Sequence, residues 1–364
     1  MEYRVGIVGA TGMVGQRFIS LLQGHPWFRI TALAASSRTA GKTYAEAVKD
    51  RWAFSWDIPE GVRDMVVLDA QDIEALSRLV DFVFCAVDMK KDEIRALEEA
   101  YAKHEIPVVS NNSACRKLPD VPMVVPEINW DHIRVIESQR KRLGTAHGFI
   151  AVKPNCSIQS YVPALTPLMD FGPELVSVCT YQAISGAGKT FRTWPEMVDN
   201  VIPYIGGEDE KSETEPLKLW GRVEEGPEGL RIVDAEKPVI SAQCLRVAAS
   251  DGHMAAVSVS FRDKPEMDEM IRRWQNYETE AQRLGLPSAP KPFLQYFDDP
   301  ARPQTRLDRD FQGGFGVSIG RLRPDRIFDY RFVCLSHNTV RGAAGGGILT
   351  AELLCAKGYI QPRH

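Results

Sequence analysis

No apolar stretch in this 364-residue sequence approaches the roughly 18 residues that a membrane-spanning helix needs. The first residues, Met1-Glu-Tyr-Arg4, lead directly into a predicted strand and do not resemble a signal peptide. These two absences predict a cytoplasmic protein that has no membrane partner. The formal net charge is only -4, so no long-range field favours nucleic acid as a partner, and an anionic ligand must be held by local groups.

Cysteine is sparse and scattered, with seven residues and no Cys-x-x-Cys pair. An odd number at wide spacing argues against a disulfide framework and against a structural zinc site, and we assign no metal ligand. The pattern is typical of a reducing compartment. The cysteines are Cys85, Cys115, Cys156, Cys179, Cys244, Cys334 and Cys355.

A strand, a glycine-rich turn and a helix are predicted at the start of the chain. The apolar segment Tyr3–Val8 is followed by Gly9, Gly12 and Gly15, and then by apolar residues at helical spacing. Glycines in this context allow a tight turn and let a pyrophosphate approach the backbone N–H groups at the helix start. The spacing is G-x-x-G-x-x-G rather than G-x-G-x-x-G, so a plain turn is the alternative interpretation.

The second predicted strand, Phe28–Ala35, is followed by Ser36, Ser37 and Arg38. An NAD-binding fold usually has an acidic residue here for the ribose hydroxyls. Two hydroxyls and a guanidinium instead suit a 2′-phosphate, so the sequence predicts NADP as the cofactor. The alternative is that Arg38 is a solvated loop residue.

The predicted elements indicate an α/β protein that begins with a Rossmann-like doubly wound parallel sheet. Further strands alternate with helical segments up to residue 125, and long alternating segments follow from residue 175, typical of a mixed sheet in an α+β catalytic and dimerisation domain. A helix with Met270 and Trp274 on its apolar stripe is expected to cover one face of that mixed sheet. The predicted later strands are Met65–Leu68, Val80–Ala86, Pro107–Ser110, Met123–Val125, Leu175–Ala183, Val239–Val247, Met254–Phe261, Phe315–Leu322 and Phe328–Leu335.

Two domains are predicted, an NADP-binding domain over 1–155 and a catalytic and dimerisation domain over 156–338. Residues 339–364 are expected to complete the first domain, because the glycine-rich segment 337–347 leads into an amphipathic helix that could pack on it. The alternative is a simple turn before a terminal core helix.

The segment Ala151–Ser160 carries the strongest chemical signal. Pro154 ends a buried strand, and apolar residues recur at helical spacing from Ile158, so Cys156 is predicted to lie at a helix start. Unpaired N–H groups there favour an anion, which predicts a lowered pKa for the thiol and a nucleophilic thiolate suited to carbonyl carbons. The alternative is an ordinary buried thiol.

Eight motifs, in order along nearly the whole chain, resemble those of aspartate-semialdehyde dehydrogenases of the archaeal and fungal branch. Two features depart from the family pattern: Ser157, Ile158 and Gln159 follow the cysteine where small threonines are commoner, and the segment between Arg246 and His253 differs. The motifs are Gly9-Ala-Thr-Gly-Met-Val-Gly15, Asn111-Asn-Ser-Ala-Cys-Arg116, Pro154-Asn-Cys-Ser157, Ser185-Gly-Ala-Gly188, Gly207-Glu-Asp-Glu-Lys211, Arg246 with Gly252-His253, Arg302-Pro-Gln-Thr-Arg-Leu-Asp-Arg309 and Asn338-Thr-Val-Arg-Gly342.

The resemblance implies the reversible, NADPH-dependent reductive dephosphorylation of L-aspartyl 4-phosphate to L-aspartate 4-semialdehyde, in the biosynthesis of lysine, methionine and threonine. Cys156 would form a thioester and His253 would act as general acid and base, although a lone histidine after glycine is often only a loop residue. Asn155 and Gln182 would orient the carbonyl group.

The resemblance also implies the binding residues. Arg246 would pair with the substrate α-carboxylate and Glu208 with its amino group, and the phosphate would be held by Lys211, Arg116 and Asn111. Family members are homodimers or homotetramers, with small-molecule substrates and inorganic phosphate as their ligands. The implied cofactor contacts are Gly9, Thr11, Gly12, Met13, Val14, Ser36, Ser37 and Arg38 for its phosphates and Ser185, Gly186, Gly188 and Asn338 for its nicotinamide half.

Two other functions compete with this one. A malonyl-CoA type reductase on the same fold would keep the cysteine and histidine but has less need of a phosphate clamp, so Arg116 and Lys211 favour the phosphate-cleaving reaction. A non-catalytic NADP-binding sensor would be expected to lack the nucleophile or the acid/base, and Cys156 and His253 are both present.

Overall fold

The computed structural model describes residues 2–363, and the first half of this range forms a six-stranded parallel sheet. Its strands are β1 (Tyr3–Val8), β2 (Phe28–Ala35), β3 (Val67–Asp69), β4 (Phe82–Cys85), β5 (Val108–Ser110) and β6 (Ile150–Val152). They lie in the order β3-β2-β1-β4-β5-β6, which confirms the predicted Rossmann-like architecture. Because the order reverses between β1 and β4, the ligand crevice is expected at the carboxyl ends of these two strands.

The predicted strand Met123–Val125 is wrong. Met123 makes only an isolated bridge to Val152 at the edge of the sheet. Pro122 and Pro126 flank the segment, and because proline has no N–H group to donate, a continuous ladder cannot form there.

Helices pack on both faces of the parallel sheet. Its core includes Phe18 on α1, stacked on Phe84 of β4 at 4.4 Å between ring centroids. The helices of this half are α1 (Met13–Leu21), α2 (Tyr44–Val48), α3 (Glu60–Arg63), α4 (Ile73–Ser77), α5 (Lys91–Lys103) and α6 (Ile136–Leu143), and 3-10 turns cover Trp130–Val135 and Ser157–Gln159.

The second half contains a seven-stranded mixed sheet, as the alternating segments predict, and a separate two-stranded hairpin, which was not predicted. The strands are β7 (Pro173–Gln182), β8 (Val201–Ile202), β9 (Arg222–Gly226), β10 (Gly229–Val233), β11 (Val239–Val247), β12 (His253–Phe261), β13 (Leu294–Phe297), β14 (Val317–Pro324) and β15 (Tyr330–Ser336). The large sheet has the order β13-β14-β15-β12-β7-β11-β8, and β9 pairs with β10. The helices are α7 (Tyr161–Leu165), α8 (Glu208–Leu219), α9 (Met267–Gln275), α10 (Glu280–Arg283), α11 (Thr305–Asp308) and α12 (Gly345–Ala356).

The two faces of the mixed sheet differ in their cover. On one face, Met270 and Trp274 of α9 are buried, and Trp274 packs on Phe332 of β15, as predicted for that helical stripe. On the other face, apolar side chains of β7 and β11 are exposed, including Leu175 at 47% and Val239 at 54%. Large apolar side chains that are exposed on neighbouring strands of one sheet face indicate a contact surface.

The terminal helix α12 packs into the core of the parallel sheet, but the prediction that it is amphipathic is wrong. Every residue from Gly345 to Cys355 is buried. Ile348 and Leu353 belong to the same core cluster as β1 and β4, and Leu286 covers the helix from outside. Because both sides are covered by protein, α12 has no solvent-facing polar stripe.

A buried ion pair joins the second half of the chain to the first. Arg341, in a π-helical turn over Val340–Ala344, donates two hydrogen bonds to Glu127 at 2.5 and 2.7 Å. Its Nε donates to Gln159 at 3.3 Å. Gln159 is one of the residues at which the sequence departs from the family pattern, and this hydrogen bond gives it a defined partner. Breaking a buried pair of this kind typically costs about 3–5 kcal/mol.

Among the helices of residues 2–363, none is both long and apolar enough to cross a bilayer.

Candidate active site

The glycine-rich turn lies at the expected crevice between β1 and β4. A side chain at Gly9 would be only 2.3 Å from the backbone oxygen of Ala86, directly after β4, and one at Gly15 would be 2.3 Å from the oxygen of Gly9. Gly12 precedes the first turn of α1, and no side chain caps that turn. Its N–H groups are therefore available to a phosphate, and the turn fits the phosphate groups of a dinucleotide. The neighbouring predicted contacts Thr11, Met13 and Val14 lie in this turn and the start of α1.

Ser36, Ser37 and Arg38 are exposed and follow β2 directly. Gly9 donates its N–H to the oxygen of Ala34 at 2.8 Å, so the two predicted phosphate-binding segments are adjacent at the same sheet edge. No carboxylate in residues 2–363 forms an ion pair with Arg38 at this edge. The chemistry of the donors fits a 2′-phosphate.

Cys156 follows β6 through a turn that is held by its neighbours. The side chain of Asn155 accepts the N–H of Ser157 at 2.7 Å, and the N–H of Lys153 donates to Ser110 at 3.0 Å. Cys156 precedes a single 3-10 turn over Ser157–Gln159 rather than the start of a regular helix. A side chain on Gly342 would come within 2.8 Å of the Cβ of Cys156, so the glycine of this motif is required for close packing on Cys156.

Cys156 and His253 come together from distant parts of the chain. Their Sγ and Nε2 atoms are 3.5 Å apart. The N–H of Ala183 donates to Nδ1 of His253 at 3.1 Å, which leaves Nε2 directed at the sulfur. Because Nδ1 accepts in this arrangement, a neutral ring carries its proton on Nε2, facing the sulfur, and the two side chains form a thiol–imidazole pair.

The predicted lowering of the Cys156 pKa is wrong for this structure. Burial raises the pKa of the thiol above its ordinary value, and the negative charge of Glu208 raises it further. The N–H of Ser157, one of the donors of the short turn, is taken by the side chain of Asn155. Three cations oppose the rise: Lys153, Arg246 and Arg116.

The imidazole of His253 is neutral at ordinary pH. Burial, followed by the positive charge of Arg246, lowers the pKa of His253 to about 3. The resting pair is therefore a thiol beside a neutral imidazole, and the ring can accept the thiol proton at Nε2 once its own proton is on Nδ1. Lys153 is a further buried cation nearby, and burial lowers its pKa to about 7.

Arg246 and the predicted nicotinamide contacts surround this pair. Arg246 Nη1 donates to the oxygen of Ala183 at 2.8 Å, the residue whose N–H contacts the histidine. A side chain at Gly186 would lie 2.8 Å from Arg246 Nη1 and 3.0 Å from His253 Nε2. Asn338 accepts the N–H of Gly252 and donates to Ser185, both at 2.8 Å. Gly188 ends the same short turn with a positive φ of 67°.

Glu208 is the centre of a hydrogen-bond network. It accepts from Asn155 Nδ2 at 3.0 Å, Lys211 Nζ at 2.8 Å and Gln182 Nε2 at 3.3 Å. Glu208 and Gln182 are almost completely buried. The side-chain amides of Asn155 and Gln182, which are predicted to orient a carbonyl group, thus donate to the carboxylate of Glu208 in this structure. To orient a substrate carbonyl, each amide would have to direct an N–H group toward the substrate.

Arg116 and Asn111 form a second cluster beside a cavity of about 940 Å³ that Lys211 also lines. Arg116 Nη2 donates to the backbone oxygen of Asn111 at 3.1 Å, and its Nη1 pairs with Glu215 at 2.9 Å. Its Nε is buried without a hydrogen-bond partner within residues 2–363. Arg116 lines this cavity, and a guanidinium beside a cavity suits an oxyanion.

Three residues of the site, Glu215, Lys153 and Gly342, were not predicted from the sequence. Glu215 follows Glu208, Lys211 and Ser212 at helical spacing, and that pattern could have shown that all four share one face of α8. The contact of Gly342 with Cys156 depends on tertiary packing, which has no local signal. All predicted substrate-binding and catalytic residues are linked through the contacts described above, whereas the segment 36–38 lies at the other end of the cofactor crevice.

Comparison with known proteins identifies the family. Two family models match, described as the semialdehyde dehydrogenase NAD-binding domain over residues 4–136 and the semialdehyde dehydrogenase dimerisation domain over residues 165–341. The aspartate-semialdehyde dehydrogenase of Aspergillus fumigatus is 43% identical, over 98% of both chains. That of Methanothermobacter thermautotrophicus is 44% identical, over 96% of this chain and 98% of its own.

A solved structure agrees with these relatives. The crystal structure of aspartate semialdehyde dehydrogenase with NADP from Candida albicans superposes with a TM-score of 0.88 at 40% identity, covering 99% of this chain and all of that one. Fold, motif order and near-complete coverage agree. The chain therefore belongs to the aspartate-semialdehyde dehydrogenase family.

Proposed function

We propose that the protein catalyses the reversible reduction of L-aspartyl 4-phosphate by NADPH to L-aspartate 4-semialdehyde, NADP and inorganic phosphate. The observation that carries this proposal is the 3.5 Å contact between Cys156 Sγ and His253 Nε2, with the guanidinium of Arg246 at the same site. Membership of the family supports the substrate, and the Candida albicans crystal structure with NADP supports the cofactor.

Cys156 is the nucleophile of the proposed reaction. With the ring proton of His253 on Nδ1, its Nε2 accepts the thiol proton, and the sulfur attacks the acyl carbon of the aspartyl phosphate. The bond from that carbon to the phosphate oxygen breaks, so inorganic phosphate leaves and a thioester is formed on Cys156. In the reverse direction, phosphate attacks the thioester and the thiolate leaves.

The second half of the reaction converts the thioester to the aldehyde. NADPH supplies a hydride to the thioester carbonyl carbon when it is bound. The resulting oxyanion takes the proton from His253. When the hemithioacetal collapses, its hydroxyl proton returns to His253, the carbon–sulfur bond breaks to release the aldehyde, and the leaving thiolate is reprotonated by His253. Because the positive charge of Arg246 lowers the pKa of His253, a substrate carboxylate on Arg246 would raise that pKa and help the ring to carry the proton.

The substrate and cofactor contacts follow the same proposal. Arg246 holds the α-carboxylate, Glu208 the amino group, and Arg116 with Lys211 and Asn111 the phosphate. The glycine turn and segment 36–38 hold the phosphates of the cofactor, and Ser185, Gly186, Gly188 and Asn338 hold its nicotinamide half. Asn155 and Gln182 orient the reacting carbonyl group.

We further propose that two copies of the chain associate through the open face of the mixed sheet. Exposed apolar side chains on β7, β8 and β11 support this contact, and they include Tyr181 and Val201. The dimerisation-domain model that matches residues 165–341 covers all of these strands. The assembly is a homodimer or a homotetramer of two such dimers.

Oxidation of aspartate semialdehyde is expected to require inorganic phosphate. With NADP and the aldehyde, omission of phosphate should reduce steady-state NADPH formation by at least about 100-fold, because the thioester has no other acceptor than water. Absorbance at the NADPH band measures the rate, and NAD in place of NADP should support a much lower rate because segment 36–38 offers no carboxylate to the ribose hydroxyls. Activity with CoA but not with phosphate would instead assign the chain to the malonyl-CoA type reductases.

A further inference from the structure

Helix α8 presents one polar face to the active site. Glu208, Lys211, Ser212 and Glu215 recur at i, i+3, i+4 and i+7, the spacing that aligns side chains along one side of a helix. Ser212 contacts the hydroxyl of Ser157 at 2.9 Å, directly after the nucleophile. The face thus reaches from the substrate pocket to the turn that carries Cys156.

Glu215 makes two buried contacts with different parts of the site. Its Oε1 pairs with Arg116 Nη1 at 2.9 Å, and its Oε2 accepts the backbone N–H of Asn155 at 2.6 Å. The side chains of Arg116 and Glu215 are only 8% and 10% exposed. Charge-assisted hydrogen bonds of this kind are short and directional.

The two contacts belong to loops that follow different strands. Arg116 lies in the segment after β5, and Asn155 lies in the turn after β6. A single carboxylate therefore spans the group that faces the cavity and the backbone unit immediately before the nucleophile. Loss of the Arg116 contact would free the segment after β5 while Glu215 still held the turn after β6, and loss of the Asn155 contact would do the reverse.

We infer that Glu215 is a positioning residue that fixes the phosphate-binding guanidinium of Arg116 relative to Cys156. This inference rests on the proposed function, since it assumes that Arg116 binds phosphate. Glu215 acts through Arg116 and Asn155 and does not itself touch the reacting atoms. Its carboxylate holds the guanidinium in one orientation beside the cavity that Arg116 lines.

Glu215→Gln separates the two roles. The glutamine oxygen can still accept the N–H of Asn155, but its NH2 group meets the NH2 donor of Arg116, so only the guanidinium contact is lost. We expect the KM for phosphate in aldehyde oxidation to rise about tenfold, with kcat within about threefold of the wild type. Glu215→Ala should raise that KM and also lower kcat at least about tenfold, because the turn before Cys156 loses its tether.

A double-mutant cycle and a matched control make the test specific. In an Arg116→Ala background, Glu215→Gln should change the KM for phosphate by less than about twofold, because its effect passes through Arg116. Glu213→Gln is the control, since Glu213 is on the same helix but does not line that cavity, and a glutamine oxygen can still accept the N–H of Ala242, which Glu213 accepts at 3.1 Å. That variant should leave the KM for phosphate within about twofold. Thermal melting and NADPH binding verify that each variant is folded.

Two results overturn the inference. One is an unchanged KM for phosphate in Glu215→Gln, and the other is an equal tenfold rise with and without Arg116. A wild-type enzyme that oxidises the aldehyde without phosphate would instead contradict the proposed function. The two failures are therefore distinguishable in the same set of assays.

Discussion

Cys156→Ala is expected to lower turnover by about 10⁴-fold or more while leaving NADPH binding within about twofold. The sulfur forms the covalent intermediate in both directions, and alanine offers no atom that could replace it. Cys156→Ser should be nearly as inactive, because a serine hydroxyl without a strong base is a much weaker nucleophile. Steady-state rates and a fluorescence titration of NADPH measure the two quantities separately.

Cys179→Ala is the control for this substitution. Cys179 is partly exposed on β7 and lies outside every contact assigned to the site. Its replacement should leave turnover within about twofold of the wild type. If Cys156→Ala retained more than a tenth of wild-type turnover, the sulfur would have no covalent role.

His253→Gln is expected to lower kcat by roughly 10²–10³-fold, the usual contribution of a positioned general acid and base. Glutamine can place an NH2 group near the sulfur, but it cannot exchange a proton at ordinary pH. The KM for aspartate semialdehyde should change by less than about threefold, since Arg246 and Glu208 hold the substrate. Steady-state kinetics in the oxidative direction measures both constants.

His253→Asn is the companion variant. Its side-chain oxygen can still accept the N–H of Ala183, which contacts Nδ1 in the wild type at 3.1 Å. A similar loss in both variants would assign the effect to proton transfer. If His253→Asn were fully active, the ring would serve only to hold the strand end at Ala183 in place.

The sequence predicted the architecture well where periodicity and glycine placement were strong. The first strand, its glycine turn and α1 form a local unit. In the long strands from β7 onward, apolar and polar residues alternate with a period of two, which distinguishes them from helices. The exceptions have physical causes. Two prolines prevented a strand at Met123, and protein packing on both sides of α12 removed the polar face that an amphipathic helix would show.

The site was predictable in its residue types but not in its electrostatics. The motif around Cys156 indicated the nucleophile, and the pairing with His253 followed from family resemblance. The direction of the thiol pKa depends instead on burial and on Glu208, which reaches the site from about fifty residues further along the chain. Local reasoning from a helix start could not include those two effects.

Local sequence patterns could not predict the tertiary contacts of Glu215 and Arg341 either. Glu215 lies in an acidic stretch that resembles a solvated helix surface, yet it is buried against Arg116 and Asn155. Arg341 belongs to a motif that indicates only a glycine-rich turn, yet it forms a buried pair with Glu127 across the two halves of the chain. Both contacts depend on the docking of segments far apart in sequence.

Trapping of the acyl-enzyme tests the central claim most directly. The protein is mixed with NADP and aspartate semialdehyde without phosphate, and NADPH is followed before tryptic peptides are weighed by mass spectrometry. The proposed mechanism predicts a burst of about one NADPH per active site, an aspartyl group on the peptide that contains Cys156, and its release when phosphate is added. Steady NADPH formation without phosphate, together with an unmodified Cys156 peptide, would contradict it.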